Sequence, residues 1–113
     1  LDTTSGYCAT SGSIPLDNAF HHVALTYDAA KSQLNAYIDG VGRPYPTACS
    51  GTVAMPQNAL TIGRFANGSG VQAVFDELRV SAGVPRSQAW LATAFNNQKS
   101  PASFYTVTAP EIR

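Results

Sequence analysis

Phe20-His21-His22-Val23-Ala24-Leu25-Thr26-Tyr27-Asp28 decides the fold, because its apolar residues recur at every second position. Val23, Leu25 and Tyr27 fall on one side of an extended chain, and His22, Ala24 and Thr26 on the other. Successive side chains of a strand point to opposite faces, so this period describes a strand with one buried face. Asp28-Ala29-Ala30-Lys31-Ser32 follows as a polar turn. The alternation then resumes, with Leu34, Ala36 and Ile38 set against Gln33, Asn35 and Tyr37. Two alternating runs joined by a short polar turn predict an antiparallel hairpin. Asp39-Gly40 closes it, since glycine accepts a positive φ without steric cost.

Outward from the hairpin the signals are shorter. Residues 42–55 hold Pro44, Pro46, Cys49 and Gly51 and read as a loop, with pairing confined to 52–54. Residues 59–64 read as a short strand with Leu60 and Ile62 inward, and 65–70 as a Gly- and Asn-rich loop. Residues 71–80 are the longest strand candidate, with Val74, Leu78 and Val80 on one face. At 87–97 the period changes: Trp90, Leu91, Ala94 and Phe95 recur at helical spacing, which makes Trp90 a core residue. Ser87 suits the start of that helix and Asn96-Asn97 its end. Pro101 breaks the pattern, and 103–108 read as a final strand. The expected fold is all-β, an antiparallel sandwich of jelly-roll type with one short C-terminal helix, in a single domain over 1–113.

Composition narrows the partners. Charged residues make up 12% of the chain, hydrophobic residues 44%, and the formal net charge is +0. Nucleic acid is excluded as a partner, because phosphate binding needs clustered Lys and Arg. Membrane insertion is excluded too, since no apolar run approaches the roughly 20 residues that span a bilayer. Cys8 and Cys49 fit no zinc spacing. One disulfide is the simplest reading in an oxidising compartment, and two buried free thiols are the alternative. The chain begins at Leu1 without Met or signal peptide, which predicts a processed chain or an excised piece of a larger one.

Three runs resemble one family in order and spacing. They are residues 20–28 continued by Leu34-Asn35-Ala36-Tyr37-Ile38-Asp39-Gly40, then Leu60-Thr61-Ile62-Gly63-Arg64, then Phe75-Asp76-Glu77-Leu78-Arg79-Val80. They look like the C-terminal half of a laminin-G-like domain of the concanavalin A-like superfamily. That pattern usually has Trp where Phe20 stands, and Phe would supply the same buried ring. Arg86-Ser87, Trp90, Phe95-Asn96-Asn97-Gln98, Ser100-Pro101 and Phe104-Tyr105-Thr106-Val107 resemble the ending of bacterial secreted and surface proteins that carry such a domain. The family-like core is 20–107. The N-terminal strands of a complete domain have no counterpart, so the piece is expected to pair with itself or to be completed by another segment.

The resemblance implies a secreted or cell-surface, non-catalytic module that binds carbohydrate or protein. A structural building block that assembles by strand complementation is the alternative, and a glycan-active hydrolase the third. No catalytic residues are assigned. Asp76-Glu77 is the nearest match to the paired acids of related glucanases, but strand neighbours point to opposite faces. The same geometry keeps His21 and His22 from sharing one ion, so one ring is expected inward with its nitrogens satisfied and the other at the surface. Asp76 shares a face with Val74, Leu78 and Val80, so it is expected partly buried and paired with Arg64. Calcium at Asp76 is the functional alternative, and no other cofactor is expected. The expected ligand-binding residues are Arg43, Tyr45, Phe65 and Asn67, on loops of the rigid sandwich.

Overall fold

The computed structural model describes residues 1–10, 13–43, 47–54, 62–63 and 70–104. Its centre is the expected hairpin. Strand β3 (Val23–Asp28) pairs antiparallel with β4 (Gln33–Ile38), with Val23 opposite Ile38, Leu25 opposite Ala36 and Tyr27 opposite Leu34. Directly opposed residues share a face. All the inward residues expected of both strands therefore lie on one side of the sheet. The turn is held by Asp28, whose carboxylate accepts from the Lys31 amide at 3.2 Å and meets its ammonium at 2.9 Å.

Strand β4 is central. Its other edge takes β5 (Val41–Gly42) and, further along, β6 (Thr47–Ala48). Gly42 of β5 and all of β6 lie in the stretch expected to be loop. Proline forbids ladder bonds only at its own position, so Val41 and Thr47 can still pair on either side of Pro44 and Pro46. A second small sheet joins β1 (Asp2–Thr3) to β2 (Gly6–Tyr7), and Thr3 bridges to Val53. Buried Thr3 is satisfied within this turn, since its hydroxyl donates to the Gly6 carbonyl at 2.9 Å.

Cys8 and Cys49 form a disulfide, their Cα atoms 5.7 Å apart, and it welds the N-terminal sheet to the hairpin. The two half-cystines pack with Leu34 and Tyr27 into the core. Leu34 is 4% exposed, and burial of this kind stabilises by roughly 1.5–3 kcal/mol. The Tyr27 hydroxyl donates to the Gly51 carbonyl and lies 3.3 Å from that of Cys49. The architecture is an antiparallel β-sandwich that is incomplete. Val23 and Leu25 share a face with Leu34 and yet are 50% and 63% exposed.

Helix α1 (Gln88–Lys99) starts as expected, with the Ser87 side chain accepting from the Trp90 amide at 3.2 Å. It runs beyond Asn96-Asn97, ending with Lys99 in its last turn and Ser100 as its cap. The helix docks on the hairpin through Gly40, where a Cβ would sit 2.6 Å from the Ala92 Cα. That approach sets its rotation. Leu91, Ala92 and Phe95 face inward, and Trp90, expected in the core, is 43% exposed. Phe20, expected as a buried ring, is 75% exposed, because it precedes the strand and no layer among the described residues covers it.

Two expected strands differ where the chain is described. Residues 71–80 carry no strand, and Val74, Leu78 and Val80 are 66–79% exposed. Glu77 has a φ of 52° and Arg79 folds back onto its carboxylate, so the chain leaves the extended conformation that a ladder requires. At 103–104 the chain is in a helical turn, α2 (Pro101–Phe104), rather than a strand. Proline, whose φ suits the first turn of a helix, starts it. Residues 105–108 lie outside the described residues. So do 59–61 and 64 of the expected short strand, while Ile62 and Gly63 form a bend.

Candidate functional site

The expected ligand residues are unevenly placed. Tyr45, Phe65 and Asn67 lie outside the described residues. Arg43, next to β5, is half-buried, and its guanidinium donates to the Ser13 carbonyl. Its Nε is buried without a partner among the described residues. Arg43 therefore holds residue 13 to the sheet as well as lying near a loop.

Asp76 is exposed, contrary to expectation, because 71–80 belong to no sheet and bury nothing. Arg64, its expected partner, lies outside the described residues. Glu77, the other half of the acid pair, accepts from Arg79 Nε at 2.9 Å and from Nη2. No group of three or more His, Cys, Asp or Glu side chains that could hold a metal occurs among the described residues. No described helix is long and apolar enough to cross a membrane.

The histidines sit just before β3. His21 has both nitrogens engaged, as expected of an inward ring: Nδ1 is 2.8 Å from Asp39 Oδ2 and Nε2 is 3.0 Å from Asp17 Oδ1. Bonds to Asp39 and then Asp17 hold the His21 pKa above the ordinary imidazole value. The reciprocal bond from His21, helped by the Ala19 amide, holds Asp17 below the ordinary carboxylate value. Burial works to raise Asp39, but bonds from the His21 ring and the His22 amide outweigh it and leave this carboxyl lowered. His22 is half-buried beside Phe95, with ring centroids 6.3 Å apart, because docked α1 covers it, so neither histidine is the surface ring expected of the pair. These groups fasten the 17–22 segment to the Asp39-Gly40 turn.

Two concavities stand out among the described residues. One, of about 560 Å³, is apolar and lies between the tip of the β3–β4 hairpin, Thr52-Val53 and Gly83-Val84-Pro85. The other, of about 230 Å³, is lined by Trp90, Thr93, Ala94, Asn97 and Gln98 of α1 and by Arg79. Positions 90, 93/94 and 97/98 share one helix face, so a single rigid element supplies most of this cleft. Arg86 lies over the Trp90 ring with its guanidinium carbon 4.8 Å from the centroid. Thr93 donates its hydroxyl proton to the Ala89 carbonyl at 2.9 Å, leaving oxygen lone pairs free to accept. Sequence reasoning assigned Trp90 inward and missed the cleft. The signal was present in Asn97 and Gln98, amides at i+7 and i+8 from Trp90.

Residues 1–105 match the laminin-G family model described as the concanavalin A-like lectin/glucanases superfamily. The match begins at the N-terminal residue, ahead of the expected core of 20–107, and ends at 105. Neither a curated protein nor a solved structure matches the chain.

Proposed function

The chain belongs to the concanavalin A-like lectin/glucanases superfamily, and from that premise we propose that it is a non-catalytic recognition module of the extracellular space. The observation that carries this reading is the α1 cleft, where an exposed indole stands beside two side-chain amides and an arginine. Recognition sites combine a flat apolar surface with a few placed polar groups, and rigid elements hold such groups best. The Cys8–Cys49 bridge supports the extracellular part, because disulfides persist in oxidising compartments. Support for non-catalysis comes from Glu77, whose carboxylate is tied to Arg79 rather than facing a second acid.

A glycan array probed with the whole chain tests the proposal, with saturable binding to a defined subset expected. Incubation with laminarin-type glucans is expected to release no reducing sugar. Release abolished in Glu77→Gln would instead establish a hydrolase.

A second reading is favoured by one specific observation. The outer edge of β3 pairs with nothing among the described residues. The Asp39 backbone amide donates to the His22 carbonyl at 2.8 Å, so the bonded positions of β3 are the even ones. The backbone groups of Val23, Leu25 and Tyr27 therefore point to the open edge. A module completed there by another strand would be a building block of an extracellular assembly.

A further inference from the structure

We propose that Asp39 is a site of spontaneous modification, held unreactive by the His21 clamp: once the clamp opens, the Asp39-Gly40 turn rearranges to isoaspartate and helix α1 loses its seat. Asp39 is the sole aspartate of the chain followed by glycine, since Asp2, Asp17, Asp28 and Asp76 precede Thr3, Asn18, Ala29 and Glu77. Glycine leaves the next amide nitrogen unhindered, because no Cβ flanks it. That nitrogen attacks the Asp39 Cγ, and a C–N bond forms. The amide gives up its proton, the protonated carboxyl gives up its hydroxyl, and the two leave as one water. A second water then opens the five-membered imide. Opening at Cγ restores aspartate, and opening at the backbone carbonyl yields isoaspartate. The sequence of steps needs no co-reactant besides water.

The native turn blocks this chemistry at both reacting groups. Ile38 pairs with Val41, and Asp39 and Gly40 between them have φ values of 52° and 74°, the type I′ combination. In that turn the Gly40 nitrogen lies across the Asp39 Cα–C bond from Cβ, so ring closure requires the bond to rotate. Rotation would break the pairing of Ile38 with Val41 and drive Gly40 off Ala92, where not even a methyl group fits. The carboxylate is held as well. Oδ2 lies 2.8 Å from His21 Nδ1, and Oδ1 accepts from the His22 amide at 3.0 Å. Burial works to raise this carboxyl, but the bonds from His21 and His22, with Lys99 of α1 adding its charge, keep it ionised. Asp17 steadies the ring from its other nitrogen. An ionised carboxylate resists attack, because it has no hydroxyl to lose. His21 is thus a positioning residue whose contact suppresses a reaction. Isoaspartate routes the backbone through Cβ and Cγ, one carbon longer than before. A two-residue turn cannot absorb that carbon and still place Gly40 on Ala92, so the loss of the helix seat is permanent.

The experiment ages the whole chain at physiological temperature and mildly acidic pH, then maps isoaspartate by electron-transfer fragmentation. Mapping by position separates the product at 39 from any formed at Asn67-Gly68. In the folded wild type, isoaspartate at 39 should form at least about tenfold more slowly than in the same chain unfolded in urea, because the reaction waits on local opening. His21→Ala, verified as folded by circular dichroism, should speed it at least about fivefold over wild type. Asp17→Asn loosens the ring without touching the turn, and it should speed the reaction by a smaller factor; it carries the test if His21→Ala does not fold. Tyr27→Phe removes the hydroxyl bonded to the Cys49 and Gly51 carbonyls and leaves the clamp intact, so it controls for lost stability and should keep the wild-type rate. Trp90, the single tryptophan and a residue of α1, should shift its emission in step with the isoaspartate content. Equal rates in wild type and the folded clamp variants, or equal acceleration in Tyr27→Phe, overturn the clamp. No isoaspartate at 39 in urea overturns the site. Isoaspartate at 39 with unchanged emission overturns the loss of the helix seat.

Discussion

His21 bridges Asp17 and Asp39 through its two ring nitrogens. A carboxylate at each nitrogen favours the imidazolium, the form that carries a proton on both. Because its folded pKa is raised, its contribution is fully present below the unfolded value of roughly 6.5 and is lost as pH rises through the folded value. Asp17 and Asp39 are lowered, so their contributions are present above the unfolded value of roughly 4 and are lost as pH falls through the folded ones. Stability from this cluster should therefore be greatest between about pH 4 and 6.5. His21→Gln should flatten the pH dependence of Tm on the alkaline side of that window, as measured by thermal melts from pH 4 to 9. The disulfide acts on a larger scale through single atoms. Its residues are 41 apart, and closing a loop of that length restricts the unfolded chain by about 4 kcal/mol. Cys49→Ser should lower the denaturation free energy by about that amount, and reduction of the native chain should do the same. A shift below about 1 kcal/mol would show that the restraint acts little on the unfolded state.

At the scale of elements, the hairpin and the helix were legible in the sequence and the docking between them was not. Alternation from Val23 to Ile38 and the Ser87 cap are local signals, and local signals report on local structure. The rotation of α1 depends on Gly40 and Ala92, which are far apart in the chain and meet only after folding. That contact turned Trp90 outward and made the cleft. Gly40→Ala tests it twice over, because its φ is +74° and a Cβ would strike the Ala92 backbone. The variant should lose more than about 1 kcal/mol of stability. The Trp90 emission should shift as the helix lifts, while the β-sheet circular dichroism signal persists. Unchanged emission would show that α1 docks without the close approach. Residues 71–80 illustrate the opposite error. Their apolar residues Val74, Leu78 and Val80 also fall on alternate positions, but Glu77 lies in the left-handed region. Apolar periodicity makes a strand only where a neighbour supplies the ladder.

At the scale of the whole molecule, the described residues leave apolar side chains uncovered. Val23, Leu25, Val74, Phe75, Leu78 and Val84 are 50–90% exposed, and the edge of β3 has no covering strand among the described residues. Natural sheets guard such edges with lysine, proline or bulges, and the outward positions Val23, Leu25 and Tyr27 have none of these. The chain should associate in a concentration-dependent way in sedimentation velocity, and Leu25→Lys should shift it to monomer without lowering Tm by more than a few degrees. A wild-type chain that is monomeric at every concentration would remove the strand-addition reading. What the sequence by itself determined is everything carried by near neighbours: the β3–β4 hairpin, the capped helix and the superfamily to which the chain belongs. It also left the Cys8–Cys49 bridge as its simplest reading. Only the tertiary structure decided which faces are covered. Burial depends on what another segment places over a side chain, so it hid His22 and Leu91 and left Trp90, Phe20 and Asp76 in solvent. The candidate site follows from that second kind of fact, a helix face turned outward by one glycine.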